Sequence, residues 1–355
     1  MYFKKLIFIM ILIIISLLVP EILCRFTFPD FSDETAYIDE KAYPKIINSK
    51  VLVDKDSDSY SEKFGYRISP FADETITTDE FQYTVKTNSL GFRAEEIQPK
   101  ENDEYRVLIL GDSMFFGEGV NYEFTVSAQL ERLVSQQTRS RKFKTYNFSV
   151  GGYNTIQELL VAKTYTDDLQ PDHIILGFFI ANDVIPNAVG KIDENGNYAF
   201  DMIMEQNIKK RLRESFSLFF NSVALRIMAL AVFVPKIRYQ LAAKTDIMNK
   251  SFELVTDLNQ FAHNRNIHCS VVIIYPRDAV AGGIIQYWSQ SRKVGQLMKN
   301  FCQQSNIDVL DLLDVMNGPE DKKKYFYKRD GHFTNAGHAV VAQAISDSFI
   351  LKHLN

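Results

Sequence analysis

Short apolar runs alternate with amphipathic segments from about residue 105 to the end of the chain. Five runs are too short for helices, which is typical of buried parallel strands. They lie at 107–110, 144–150, 173–180, 267–275 and 307–310. Amphipathic helices are predicted at about 123–138, 155–167, 250–265, 288–304 and 335–351. Because strands alternate with helices, the pattern predicts an α/β fold, a parallel sheet with helices on both faces.

The first residues follow a different pattern. Lys4 and Lys5 precede an uninterrupted apolar run that extends, with few breaks, to Cys24. A segment of this length crosses, or nearly crosses, a hydrocarbon layer of ~30 Å, and no small-residue cleavage site follows it. We therefore expect residues 1–25 to form an uncleaved membrane anchor, with a cleaved signal peptide as the alternative. The two lysines favour the cytoplasmic side, which places the rest of the chain outside the cytoplasm.

Residues 26–104 are rich in Asp, Glu, Ser, Tyr and Lys and show no sustained helical period. Residues 81–87 alternate between apolar and polar side chains like a half-exposed strand, and 88–93 are typical of a turn. We expect a small β-rich segment between the membrane and the α/β body, which spans 105–355, and we call residues 26–104 the apron. Its function cannot be deduced from the sequence.

Residues 190–247 interrupt the alternation of strands and helices. One or two helices are predicted within 209–240, with an apolar stretch at 223–234. Arg226 lies inside that stretch and argues against a second membrane span. Three interpretations stay open: a lid over the ligand crevice, a helix packed on the core, or a helix on the bilayer surface.

The composition indicates a globular protein and argues against a nucleic-acid-binding protein or a zinc protein. The chain has 355 residues, of which 46% are hydrophobic and 24% charged, enough for a large core. The net charge is −4 and no basic patch is present, so we expect no nucleic-acid partner. Cys24, Cys269 and Cys302 form no zinc-type spacing. Cys269 and Cys302 either pair, if the chain is exported, or stay as two buried free thiols.

Polar residues follow several predicted strands, at the edge where open α/β sheets bind ligands. Ser113 follows the first strand, Gly152 the second and Asn182 the third, while His332 lies just before the last helix. Asp112 and Ser113 are also good helix N-caps, which is the simpler interpretation of that pair. An acyl-transfer site needs a hydroxyl, an imidazole, a carboxylate and donors for an oxyanion. These loops and Asp330 supply all four.

The same residues resemble the conserved blocks of a known superfamily, the SGNH or GDSL-type hydrolases. The matching blocks are Gly111-Asp112-Ser113, Asn147 with Gly151-Gly152, Asn182-Asp183, and Asp330-Gly331-His332 followed by Asn335-Ala336-Gly337-His338. They occur in order over about residues 105–350. Residues 88–93 and the N-terminal segment also resemble membrane-tethered bacterial members. The resemblance implies a flavodoxin-like, three-layer α/β/α fold.

The resemblance also implies roles for individual residues. Ser113 would be the nucleophile, His332 its base and Asp330 the carboxylate that orients the imidazole. The oxyanion would be held by the N–H of Ser113, the N–H of Gly152 and the side-chain amide of Asn182. No metal and no organic cofactor are implied.

Two features depart from the usual pattern of the superfamily. Only Gly331 separates Asp330 from His332, where many members have two residues. Ile180 stands two residues before Asn182, where a glycine is usual, and the nearest glycine is Gly177. The first departure bears on the carboxylate of the triad, and the second on the shape beside the oxyanion site.

The expected activity is serine-dependent hydrolysis of an ester. The acyl group, for example acetyl, would be removed from a carbohydrate or lipid outside the cytoplasm. The alternative is an O-acyltransferase that uses the same triad on a cell-envelope glycan. A binding protein without catalysis is disfavoured because every role in the site is filled. The natural substrate and the oligomeric state stay open.

Overall fold

The computed structural model describes residues 60–138, 141–201, 206–207, 239–282, 290–317 and 321–354. The chain divides into two compact units, and all of these residues except 206–207 belong to the larger one, 46–202 and 239–355. The predicted anchor at 1–25 and most of the helical part of the insertion lie outside the described residues. Within the described ranges, no helix has the length and apolar character needed to cross a membrane.

The described strands are β1 (Tyr60–Ser61), β2 (Gly65–Tyr66), β3 (Asp73–Thr77), β4 (Gln82–Lys86), β5 (Glu104–Leu110), β6 (Lys142–Asn147), β7 (His173–Phe179), β8 (Gly190–Ile192), β9 (Tyr198–Phe200), β10 (His268–Ile274) and β11 (Asp308–Asp311). The described α-helices are α1 (Ser113–Phe116), α2 (Val126–Gln137), α3 (Thr155–Leu169), α4 (Val184–Val189), α5 (Thr245–His263), α6 (Arg277–Ala281), α7 (Ser291–Gln304), α8 (Leu312–Val315), α9 (Asn335–Ile345) and α10 (Leu351–Leu354). Short 3-10 helices occupy Tyr122–Phe124 and Lys322–Tyr325, and a π-helical turn links α9 to α10.

The central sheet has five parallel strands in the order β11-β10-β7-β5-β6. The order in which strands are added to the sheet reverses between β5 and β7, because β6 lies on one side of β5 whereas β7, β10 and β11 follow on the other. Open α/β sheets bind ligands at such a switch point. Ile109 of β5 lies opposite Asn147 of β6 and Ile175 of β7. The carboxyl ends of these three strands therefore meet at one edge, where Ser113, Gly152 and Asn182 follow them.

Helices cover both faces of the sheet, as predicted. Helices α2 and α9 pack together on one face, and α3 and α5 pack together on the other. Helix α7 joins the second group, where Phe301 stacks on Phe252 of α5 with ring centroids 4.3 Å apart. All seven residues of β5 are buried, because this strand lies inside the sheet with a helical layer on each side. The predicted three-layer α/β fold with a parallel sheet is confirmed.

Two local features differ from the predictions. The predicted strand at 81–87 is β4, but its antiparallel partner β3 was missed. Four of the five β3 residues are exposed, so the strand has no apolar alternation to reveal it. The insertion begins with a hairpin of β8 and β9, which the sequence pattern did not predict.

Cys269 and Cys302 are both free thiols. Cys302 is buried on α7, and its Sγ lies 3.8 Å from the Sδ of Met298, one turn earlier on the same helix. Burial raises the pKa of both thiols to about 12, which keeps them protonated and unreactive at neutral pH. Of the two alternatives for this pair, the structure has the free thiols.

Candidate active site

Ser113 is the first residue of α1, directly beyond the carboxyl end of β5. Asp112 is the N-cap, and its side chain accepts a hydrogen bond from the N–H of Met114 at 2.9 Å. Of the two candidate N-caps in the sequence, Asp112 and Ser113, Asp112 is therefore the one that caps the helix. The Ser113 hydroxyl does not serve as a cap and is available to a partner from another loop.

That partner is His332. The Ser113 Oγ lies 2.7 Å from His332 Nε2, although the residues are 219 positions apart. On the other side of the ring, His332 Nδ1 lies 2.5 Å from Asp330 Oδ1. Gly331 has a φ of +90°, a conformation that favours glycine, and this turn brings the two flanking side chains together. The one-residue spacing therefore permits a continuous chain of hydrogen bonds from carboxylate to imidazole to hydroxyl.

The charges around His332 favour its protonated form. Burial alone would lower the pKa of His332, but the hydrogen bond to Asp330 and the charges of Glu118, Asp330 and Asp112 raise it to about 9. Burial works in the opposite sense on Asp330, whose pKa is nevertheless lowered by its hydrogen bond with His332. The carboxylate of Asp330 is thus suited to stabilise an imidazolium that forms during proton transfer.

The three expected oxyanion donors lie on loops at the same edge of the sheet. Asn182 donates one side-chain N–H to the carbonyl of Tyr153 at 2.8 Å, which ties it to the loop that carries Gly152 and leaves its second N–H available. Among the described residues, no hydrogen-bond acceptor faces the backbone N–H of Ser113 or of Gly152. Free donors of this kind can stabilise a developing oxyanion.

Hydrogen bonds between the loops hold these donors in place. The N–H of Val150 donates to the carbonyl of Gly111 at 3.1 Å, and the side-chain amide of Asn147 donates to the carbonyl of Phe115 at 2.9 Å. Asp183 is buried beside Asn182 and accepts a hydrogen bond from the N–H of Phe179 at 2.6 Å. Burial raises the pKa of Asp183 well above its usual value. Its position indicates that it braces the loop.

The apron contributes contacts that the sequence did not suggest. The carboxylate of Glu80 accepts hydrogen bonds from three successive backbone N–H groups, of Lys328 at 3.1 Å, Arg329 at 2.8 Å and Asp330 at 2.8 Å. These bonds lower the pKa of Glu80 although partial desolvation opposes them. A second apron residue, Tyr66, donates its hydroxyl hydrogen to the carbonyl of Gly151 at 2.8 Å. The apron therefore contacts both the histidine loop and the loop of Gly152.

Arg93 connects the apron to the segment that follows Ser113. It is completely buried, and Nη1 donates to the carbonyls of Phe116 at 3.2 Å and Gly117 at 2.8 Å. Its Nη2 donates to the carbonyls of Thr84 at 2.9 Å and Val120 at 2.7 Å. Arg93 lies in the turn predicted at 88–93, but its role depends on contacts that no local pattern encodes.

Glu118 is the second carboxylate near the imidazole, with its Oε2 3.6 Å from His332 Nε2. The ligand atoms of Glu118, Asp330 and His332 lie within 4.8 Å of one another, a spacing that a metal ion could bridge. Both ring nitrogens of His332 already face Ser113 and Asp330, an arrangement that fits proton transfer between Ser113 and His332. The expectation that no metal or cofactor is needed stays a prediction.

Phe115, Gly177 and His338 contribute to the core. The ring of Phe115 is buried over Gly111 and Gly177, where an added Cβ on Gly177 would lie 2.6 Å from the ring. Gly177 therefore makes room for the Phe115 ring in the core. It does not replace the glycine that the superfamily usually has at the position of Ile180. His338 is fully buried in α9, and burial lowers its pKa to about 3. A neutral imidazole there is consistent with a structural role.

A comparison with known protein families covers most of the α/β body. The model of the GDSL-like Lipase/Acylhydrolase family matches residues 109–340, which include Ser113, Gly152, Asn182, Asp330 and His332. A search of the curated proteins found no match.

Several solved structures are similar at low sequence identity. The psychrotrophic esterase EstA from a Pseudoalteromonas species is 13% identical, with a TM-score of 0.41 over 70% of this chain and 99% of its own. A lipase/acylhydrolase from Enterococcus faecalis is 10% identical, with a TM-score of 0.42 over 68% of this chain and 94% of its own. A two-domain esterase, CEX, active on acetylated mannans is 14% identical, with a TM-score of 0.42 over 71% of this chain and 50% of its own.

Proposed function

The chain belongs to the GDSL-like lipase/acylhydrolase family, and from that membership we propose that it is a serine-dependent ester hydrolase. The observation that carries the proposal is the continuous path from Asp330 through His332 to Ser113, with distances of 2.5 and 2.7 Å. A nucleophile with its base in hydrogen-bond range, and a third group that orients the base, is the arrangement that activates a serine hydroxyl.

The first half of the reaction acylates Ser113. Its Oγ attacks the ester carbonyl while His332 Nε2 takes the hydroxyl proton, and Asp330 stabilises the resulting imidazolium. The carbonyl oxygen becomes an oxyanion that accepts hydrogen bonds from the N–H of Ser113, the N–H of Gly152 and the amide of Asn182. When the tetrahedral intermediate collapses, the alcohol leaves with the proton from His332 and the acyl group stays on Ser113.

The second half regenerates the enzyme. His332 takes a proton from water, which attacks the acyl carbonyl and forms a second tetrahedral intermediate in the same oxyanion site. Collapse releases the carboxylic acid, and Ser113 recovers its proton from His332. If a sugar hydroxyl takes the place of water, the same steps transfer the acyl group to a glycan. O-acyltransferase activity is therefore the alternative outcome of one mechanism.

The proposed substrate is an acylated carbohydrate or lipid that meets the enzyme outside the cytoplasm. The apolar run after Lys4 and Lys5 supports a membrane anchor at 1–25, with the catalytic body on the far side of the membrane. A protein secreted after signal cleavage is the alternative. Both follow from the sequence pattern of the N-terminal segment.

The test is hydrolysis of a p-nitrophenyl ester series of increasing acyl length by the purified full-length chain. We expect hydrolysis of the short-chain esters, its loss in Ser113→Ala, and no change in Ser305→Ala, which alters an exposed serine that follows α7. Wild-type inactivity on every acyl length would contradict the proposal. If an added glycan accepts the acyl group faster than water does, the enzyme is an O-acyltransferase.

A further inference from the structure

Glu118 lies between two glycines that the surrounding structure requires. Gly117 and Gly119 have φ angles of +85° and +88°, which side chains rarely adopt. A Cβ on Gly117 would lie 2.5 Å from Thr125 Cγ2, and one on Gly119 would lie 2.7 Å from Tyr327 Cε2. The chain on each side of Glu118 is therefore pressed against its neighbours.

The backbone polar groups of this segment are also bonded. Arg93 Nη1 donates to the carbonyl of Gly117 at 2.8 Å, and the Tyr327 hydroxyl donates to the carbonyl of Gly119 at 2.9 Å. The N–H of Glu118 donates to the carbonyl of Ser113 at 3.2 Å. Because the backbone is held from both sides, the position from which the Glu118 side chain extends is fixed.

The side chain extends to the reacting end of His332. Its Oε2 lies 3.6 Å from Nε2, the same nitrogen that faces the Ser113 hydroxyl, whereas Asp330 occupies the Nδ1 side. Among the described residues, His332 is the only partner of the Glu118 carboxylate, and 29% of the side chain is exposed. Glu118 thus presents free acceptor positions to whatever enters the site beside Nε2.

The leaving alcohol must occupy that place. Nε2 gives its proton to the leaving oxygen, so this oxygen lies within hydrogen-bond reach of Nε2 at the moment of collapse. An ionised carboxylate is an acceptor only, and it attracts hydroxyl donors while it repels anionic groups such as phosphate. A hydroxyl on the carbon adjacent to the one that bears the ester oxygen could donate to Glu118 while the ester oxygen takes the proton from His332.

We propose that Glu118 selects leaving alcohols that carry a hydroxyl next to the ester, as in a partly acylated sugar or polyol. This inference rests on the proposed ester hydrolase function and specifies its substrate class. The leaving group is hydroxyl-rich and neutral, so an ester whose alcohol carries a phosphate is disfavoured. In the reverse direction, the same contact would orient a polyol that accepts the acyl group.

The test compares two esters that differ in one hydroxyl, 2-hydroxyethyl acetate and 2-methoxyethyl acetate. The first can donate a hydrogen bond to Glu118 and the second cannot. We expect the wild-type kcat/KM to favour the hydroxyethyl ester by about tenfold or more, the usual size of a hydrogen bond to a charged group. The ratio is measured at each pH, so any effect of Glu118 on the imidazole pKa cancels.

Variants of Glu118 test whether its carboxylate causes the preference for the hydroxyethyl ester. In Glu118→Ala the ratio falls to about one, and in Glu118→Gln, which keeps an acceptor without the charge, it takes an intermediate value. Glu123→Gln is the matched control, because Glu123 is an exposed glutamate on the same stretch, and it keeps the wild-type ratio. Thermal unfolding of each variant verifies that the fold is intact.

Three results would overturn the inference while leaving the hydrolase function in place, provided that p-nitrophenyl acetate is still cleaved. The first is a ratio near one in the wild type, and the second is a wild-type ratio retained in Glu118→Ala. The third is a preference of the wild type for acetylcholine over 2-hydroxyethyl acetate, provided that Glu118→Ala loses this preference. The last would mean that Glu118 recognises a cation. Failure to cleave p-nitrophenyl acetate and both matched esters would remove the proposed function and this inference together.

Discussion

The carboxylate of Glu80 accepts a hydrogen bond from the backbone N–H of Asp330 at 2.8 Å, across 250 positions of sequence. Glu80 precedes β4 in the apron, whereas Asp330 belongs to the loop that orients the imidazole. The neighbouring Phe81 reinforces the contact, since its ring lies 4.8 Å from that of Tyr327. The apron is therefore part of the structure that positions the histidine, and not a passive spacer.

Substitution of Glu80 should lower catalysis without unfolding the protein. In Glu80→Ala three amides lose their common acceptor, so the Asp330 loop loosens and we expect kcat to fall by roughly ten- to a hundredfold with little change in KM. Asp79→Ala is the control, because Asp79 is an exposed neighbour that only approaches Arg329 at 3.7 Å. Equal kinetics for the two variants would show that the contact does not position the loop.

Substitution of Arg93 should act on stability. Arg93→Met removes the donors of four carbonyls in a buried site, so we expect the free energy of unfolding to fall by about 2–4 kcal/mol. Chemical denaturation of the purified chain measures this value. Arg329→Met, an exposed arginine, should change it by less than about 0.5 kcal/mol. If Arg93→Met were as stable as wild type, the apron would not depend on these bonds.

Asn182 should contribute to the transition state and little to substrate binding. Loss of its side-chain donor in Asn182→Ala removes one hydrogen bond to the oxyanion, which typically lowers kcat by about 10²–10³-fold. We expect KM for a p-nitrophenyl ester to stay within roughly threefold of wild type. A variant that raises KM and leaves kcat unchanged would instead assign Asn182 to binding of the substrate.

The activity should rise with pH through the alkaline range. Only neutral His332 accepts the Ser113 proton, and Asp330, Glu118 and Asp112 raise its pKa from 6.5 to about 9. The rising limb of kcat/KM should therefore lie near pH 9, and Glu118→Gln should move it to lower pH because one negative charge is lost. A limb near pH 6.5 that Glu118→Gln does not shift would contradict this electrostatic account.

The raised pKa of His332 also affects the free energy of unfolding, which should fall with rising pH while the activity rises. Because the pKa of His332 is raised in the folded state, its charged form stabilises the fold fully below about pH 6.5, and this contribution is lost as pH rises through about 9. The pH range in which His332 becomes neutral is therefore the range in which it stabilises the fold least.

The α/β body and the polar residues gathered at its edge were predictable because their signals are local. The apolar run before Gly111 marks β5, the motifs at Ser113 and Asn182 follow strands directly, and the motif at His332 directly precedes the last long helix. Parallel strands align their carboxyl ends at one edge of the sheet, so local motifs were enough to place these residues together.

Contacts between distant segments were not predictable in this way. Glu80 and Arg93 lie in a polar segment whose pattern is typical of solvent-exposed chain, and their partners are backbone groups, which leave no trace in residue type. Glu118 did carry a signal, since it stands between two glycines beside the nucleophile. Its direction toward His332 depends on how Arg93 and Tyr327 hold those glycines, which only the structure shows.

Whether His332 activates Ser113 is tested by covalent labelling of the whole chain with a fluorophosphonate, followed by mass spectrometry of its peptides. Such probes react with a serine hydroxyl that an adjacent base activates. We expect one adduct, on Ser113, which is absent in Ser113→Ala and strongly reduced in His332→Ala. An adduct on another serine, or no adduct at any pH up to about 9, would contradict this expectation.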